Sequence, residues 1–217
     1  MNTNPQAKRI LCYGDSNTRG VIPGTEAQRY SIDKRWCGIL QNKLGLDYEV
    51  IEEGLDGRTT NQEFNLKNGL RYLPAVLETN LPLNIVIFYL GTNDLKIEYQ
   101  TTAEEIADGL KKLVNLARVS LNTDFDLDNK IIILTPPLIK ENSRNLALEF
   151  KDTRIKSSQL VTAFKSVADK THSICLDLNQ YLDASDIDGI HLDLEAHQKL
   201  GNLLAEKIST FSASESK

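Results

Sequence analysis

Residues 84–90, Asn-Ile-Val-Ile-Phe-Tyr-Leu, constrain the fold of this chain more than any other stretch. Six apolar residues follow one another without interruption, and five are β-branched or aromatic, the side chains that favour a strand. A half-buried strand would alternate apolar and polar residues. An unbroken one is buried on both faces, as in a parallel sheet with helices packed on each side. The run ends abruptly at Gly91-Thr92-Asn93-Asp94, a polar turn.

Four other segments repeat this design. Residues 9–13 form a strand that stops at Gly14-Asp15-Ser16-Asn17, and residues 48–51 form one that runs into Gly54-Leu55-Asp56-Gly57-Arg58. Residues 130–134 are stopped by Pro136-Pro137, which open a loop to about residue 145, and residues 173–178 supply the fifth strand. Helical patterns lie between them. Trp36, Ile39, Leu40 and Leu44 share a face before Gly45, with Trp36 read as core; a helix passes through 73–77. Ile106 to Ala117 follow a Thr102/Glu105 capping box, residues 146–170 are amphipathic, and Asp193 caps a last helix reaching Ile208. Strands alternating with helices predict βαβ units and a five-stranded parallel sheet in an α/β fold. All the polar turns then gather at the carboxyl edge, where such sheets bind ligands. One domain over 8–211 is expected, with flexible tails at 1–7 and 212–217.

Composition removes several functions. A formal net charge of −5 with no Lys/Arg block argues against nucleic acid or an anionic membrane as partner. The longest apolar run is far short of the roughly 20 residues of a spanning helix, and the polar start MNTNPQAK carries no secretory pattern. Cys12, Cys37 and Cys175 are odd in number and without a CxxC pair, so free thiols and a cytoplasmic location are expected, without a zinc or thioredoxin-like site.

The turns hold the parts of an acyl-transfer site. Ser16 is a hydroxyl at a strand end opening into a helix; Asp15 and Ser16 are also simple helix-capping residues there. A serine nucleophile needs a base. His191 stands three residues after Asp188, a spacing that lets the carboxylate hold one ring nitrogen while the other faces Ser16. Gly57 offers a backbone N–H without a Cβ in the way, Asn93 a side-chain amide, and with the Ser16 N–H they would form an oxyanion hole.

Gly14-Asp15-Ser16-Asn17, Gly54-Leu55-Asp56-Gly57, Gly91-Thr92-Asn93-Asp94 and Asp188-Gly189-Ile190-His191 resemble, in order and spacing, the four blocks of the SGNH (GDSL) hydrolases. Arg35-Trp36, residues 50–55 and Arg58-Thr59-Thr60 are similar to the arylesterase/acyltransferase branch. The resemblance implies a flavodoxin-like three-layer α/β/α fold and hydrolysis of small esters, with no cofactor and no metal. It implies Ser16, Asp188 and His191 as triad, Gly57 and Asn93 as oxyanion donors, and self-association into a homo-oligomer. A carbohydrate acetylesterase, a thioesterase or a non-catalytic binding module would use the same blocks. The chain departs from the family pattern at Asn17, where the name-block has Leu, at Arg19 and Val21, where acyltransferase relatives carry Trp, and at Asp56, where relatives often have a small polar residue.

Other candidates carry less. Asp186 is an alternative carboxylate for His191. His172 reads as an edge residue, His197 as a surface partner of Asp193, and Arg58 and Lys96 as solvated charges. Residues 124–135 and 184–195 resemble calcium loops, but the first lacks the required Gly and acidic twelfth residue and the second lacks the first ligand.

Overall fold

In the computed structural model, residues 2–63, 66–121, 130–144 and 147–215 are described. Five strands, β1 (Lys8–Gly14), β2 (Tyr48–Gly54), β3 (Ile85–Tyr89), β4 (Lys130–Thr135) and β5 (Ile174–Asp177), form one sheet in the order β2-β1-β3-β4-β5. Each pairing is parallel. The chain steps outward from β1 to β2 and then returns to place β3 on the other side of β1. The strand order therefore reverses at β1/β3, which opens a crevice at the carboxyl ends of these two strands.

Side chains alternate across the sheet, so each strand feeds two cores. Leu11, Tyr13, Val86, Phe88, Ile131 and Ile133 pack with residues of α3 (Gly69–Asn80), α4 (Ala103–Leu121) and α5 (Arg154–Lys170). Ile10, Cys12, Ile85, Ile87, Tyr89 and Ile132 pack with residues of α2 (Trp36–Leu44) and α6 (Leu194–Glu215). The three-layer architecture thus explains why β3 carries no polar residue. Among the described residues no helix is long and apolar enough to cross a membrane.

Local signals place most helix ends. Thr102 Oγ1 accepts the Glu105 N–H (3.2 Å) while Glu105 accepts the Thr102 N–H (2.8 Å), a reciprocal capping box. Asp193 accepts the Ala196 N–H (2.9 Å) at the start of α6, and Gly45 ends α2 at φ 68°. The helix expected over 146–170 begins instead at Arg154. Leu148–Phe150 form a 3-10 turn, Asp152 takes φ 58°, and Glu141 from a separate loop accepts the Arg154 N–H. Near the start of the chain the Asn2 and Asn4 amides donate to the Leu46 carbonyl. At the other end α6 runs through Glu215, past the boundary expected at 211. The rejected calcium-like stretch at 124–128 lies outside the described residues.

His197 is a correction to the sequence reading. It is fully buried rather than a surface partner of Asp193. Its Nδ1 accepts the Trp36 N–H (3.3 Å) and its ring meets Tyr30 edge to face at 5.5 Å. Burial, with smaller contributions from Arg35 and His191, pushes its pKa down to about 4. The neutral ring is the folded form, and the unfolded chain binds a proton more readily, so this histidine favours folding above its ordinary pKa of about 6.5 and loses that contribution as pH falls toward 4. The wild type should lose about 3 kcal/mol more stability than His197→Asn between pH 7 and pH 4. Urea denaturation of both proteins across that range measures it; parallel curves would contradict a buried neutral His197.

Candidate active site

The site is assembled from the turns that follow β1, β2 and β3 and the turn that precedes α6. Ser16 is the first residue of the short helix α1 (Ser16–Arg19). Asp15 is its N-cap: Oδ1 accepts the Asn17 N–H at 2.9 Å. The two sequence readings of this turn therefore separate by residue, with Asp15 capping and the Ser16 hydroxyl aimed elsewhere. Gly14 is required for the tight turn, since a Cβ there would lie 2.0 Å from Thr18 Oγ1 and 2.7 Å from the Tyr89 carbonyl.

Ser16 Oγ lies 2.9 Å from His191 Nε2, and His191 Nδ1 lies 2.8 Å from Asp188 Oδ2. Asp188 is held by backbone donors on every side. Its Oδ1 accepts the Ile190 (3.1 Å) and His191 (3.0 Å) N–H groups, and its Oδ2 also accepts the Gly24 N–H (3.0 Å). Burial opposes its charge, but the His191 ring and the His191 and Ile190 N–H groups outweigh burial and hold the carboxyl down at about 2. An ionised carboxylate only accepts, so Nδ1 carries the ring proton and Nε2 presents its lone pair to the serine hydroxyl. Asp186, the alternative carboxylate, pairs with Lys140 instead (2.8 Å).

Asn93 and Gly57 come to the same place. Asn93 opens a 3-10 turn after β3, and its Nδ2 donates to the Arg58 carbonyl (3.1 Å) and, more weakly, to Asp15 Oδ2 (3.4 Å). It therefore bridges the Ser16 turn and the Gly57 turn. Gly57 takes φ 77°, and the Leu55 N–H before it donates to the Gly14 carbonyl (3.1 Å). Asp94 ties the turn after β3 to the segment after Gly57: it accepts the Thr60 N–H (2.9 Å), the Thr60 hydroxyl (2.6 Å) and the Gln62 amide (3.2 Å).

Several charged residues here have specific partners, and two of them, Arg58 and Asp15, are buried. Arg58 is buried, donates to the Gly14 (2.8 Å) and Glu53 carbonyls, and stacks over Tyr13 at 4.0 Å. Lys96 pairs with Glu149 (2.7 Å) and faces the Phe150 ring. Arg19 and Asp56, both departures from the family pattern, pair with each other at 2.7 Å. That contact gives each a structural reason, since the first and second turns face one another across it. Asp15 is fully buried, and burial raises its pKa to about 7, partly offset by the Asn17 N–H and by His191. Sequence reasoning missed the Gly24 N–H on Asp188 and the buried Arg58. The signal for Arg58 is its position directly after a glycine turn at a strand end; for Gly24 no local signal exists. His172 donates nothing to the site; its carbonyl accepts from Arg118. Among the described residues no group of three or more His, Cys, Asp or Glu side chains could hold a metal ion.

Comparison with known proteins gives a consistent picture. The profile of the GDSL-like Lipase/Acylhydrolase family matches residues 12–199. The structure of the native M. smegmatis aryl esterase is 36% identical, with 94% of this chain and 100% of that chain covered and a TM-score of 0.86. Est24, a carbohydrate acetylesterase from Sinorhizobium meliloti, is 33% identical over 94% of this chain and 99% of its own, with a TM-score of 0.83. A search of curated protein sequences found no significant match. The matched region runs from within β1 to within α6 and takes in all four turns of the site: the chain belongs to the GDSL-like lipase/acylhydrolase family.

Proposed function

We propose that this protein is a serine esterase hydrolysing small aryl or alkyl esters through an acyl-enzyme on Ser16. The observation that carries the reading is the unbroken line from Asp188 Oδ2 to His191 Nδ1 (2.8 Å) and from His191 Nε2 to Ser16 Oγ (2.9 Å). Ser16 attacks the ester carbonyl as its proton passes to Nε2. Asp188, ionised down to about pH 2, stabilises the imidazolium that forms. The oxyanion is received by the Ser16 and Gly57 N–H groups and by Asn93, which exchanges its long 3.4 Å bond to Asp15 for the new acceptor. His191 returns the proton to the leaving alkoxide. Water, activated by the same ring, then releases the acid; an alcohol in its place would give acyl transfer.

The aryl esterase relative supports aryl esters as substrates. The carbohydrate acetylesterase relative favours sugar acetates as a second reading. We assign the protein to the cytoplasm, a reading supported by the free thiols of Cys12, Cys37 and Cys175. Its partner is a small-molecule ester; self-association remains an expectation of the family resemblance.

Ser16→Ala should reduce hydrolysis of p-nitrophenyl esters, acetate through octanoate, by at least about 1,000-fold with the melting temperature unchanged, and intact turnover in that variant would overturn the mechanism. Asn93→Ala should lower kcat about 100-fold, equivalent to about 3 kcal/mol of transition-state stabilisation. A change confined to KM would remove Asn93 from the oxyanion hole.

A further inference from the structure

We propose that Asn17 is a positioning residue that sets the Ser16–His191 distance by gripping the chain on both sides of His191. The proposal rests on the roles given to Ser16 and His191 above. Asn17 is 1% exposed, and its two amide atoms are both engaged. Oδ1 accepts the Leu192 N–H at 2.9 Å, and Nδ2 donates to the Ile190 carbonyl at 3.3 Å. These are the peptide groups directly before and after His191. Fixing both fixes the direction in which the His191 side chain leaves the backbone, and with it the reach of Nε2.

The other end of this clamp is one residue from the nucleophile. Among the described residues, the two Asn17 bonds are the hydrogen bonds that join the Ser16 turn to the His191 turn without passing through the reacting atoms themselves. Asp188 and Ser185 order the His191 turn internally, through the Ile190 and His191 N–H groups and the His191 carbonyl; Asp188 also accepts the Gly24 N–H (3.0 Å) from the loop after α1, but that bond holds the carboxylate and not the peptide groups that flank His191. Asn17 is itself anchored. Its N–H donates to Asp15 Oδ1 (2.9 Å), and its carbonyl accepts the Trp36 indole N–H (3.2 Å). The Trp36 backbone N–H in turn donates to His197 on α6, the helix that follows the His191 turn. Asn17 thus connects α1, the start of α2 and the turn before α6 at the point where the reacting atoms must meet.

Leucine shares asparagine's branch at Cγ and its number of heavy atoms but is bulkier and has neither polar atom, so Asn17→Leu removes both bonds and adds some overpacking at this buried position. It leaves the Leu192 N–H and Ile190 carbonyl without their partner, so some loss of melting temperature is expected for any role. Activity separates the roles. With p-nitrophenyl acetate, kcat should fall about 10- to 100-fold while KM changes less than about twofold, as for a misplaced catalytic group. In a His191→Ala background, Asn17→Leu should change the residual rate less than about twofold, because the clamp then has nothing to position. Unchanged kcat, or an equal loss in both backgrounds, would overturn the proposal. If Asn17→Leu does not fold, Asn17→Asp keeps the acceptor for Leu192 and sets an oxygen against the Ile190 carbonyl. The same kcat loss at unchanged KM is expected there, and a wild-type kcat would overturn the proposal equally. Ser16→Ala assayed alongside keeps the two claims apart: turnover in Ser16→Ala would defeat the serine mechanism itself. An inactive Ser16→Ala beside a fully active Asn17→Leu would defeat the clamp alone.

Discussion

Ser16 and His191 are 175 residues apart in sequence, and their side chains meet at 2.9 Å. That contact depends on where the sheet reverses its strand order. Because β2 and β3 lie on opposite sides of β1, the turns after β1 and β3 flank an open crevice that neither strand's following helix covers. Ser16 and Asn93 enter the crevice from these two turns, and the Gly57 turn closes it from β2. His191 arrives from the end of the chain, delivered by the turn that starts α6. A different strand order would keep every local motif intact and scatter the residues that act together.

Holding these turns in register requires polar groups in places that cannot hydrate them. Asp15, Arg58 and Asp94 are all buried beneath the site. Each is stabilised by specific partners: Asp15 by the Asn17 N–H, Arg58 by two strand-end carbonyls and the Tyr13 ring, Asp94 by Thr60 and Gln62. Breaking such a buried set by removing one partner is costly, because the remaining charge is left stranded. The buried carboxylates of the site differ in how fully they are partnered. The raised carboxyl of Asp15 and the depressed carboxyl of Asp188 express this difference. Both sit within the same site, but Asp188 has the His191 ring and three backbone N–H groups and Asp15 far fewer donors.

Much of this was legible in the sequence because it was local. The unbroken apolar run of β3 predicted a strand buried on both faces, and both cores receive its side chains. The capping box at Thr102 and the Asp193 cap are written in single residues. What escaped was tertiary. His197 lies on the face of α6 that meets α2, where Trp36 and Tyr30 supply the surroundings a lone histidine needs; spacing alone gives it to the surface. Arg58 looks like a solvated charge until the ends of β1 and β2 provide carbonyls for it. The helix expected from 146 starts only at Arg154, after Asp152 at φ 58°, a backbone state that the periodicity of the sequence does not reveal. The carboxylate grip of the Gly24 N–H is carried by a backbone atom, which has no residue signature at all.

The central claim is that one serine among many is chemically activated by its neighbours. Treating the folded protein with a fluorophosphonate, followed by digestion and mass mapping of the adduct, tests it most directly. Stoichiometric modification of Ser16, abolished on unfolding, is the predicted result. An unmodified protein, or an adduct on another serine such as Ser143 or Ser185, would contradict the account.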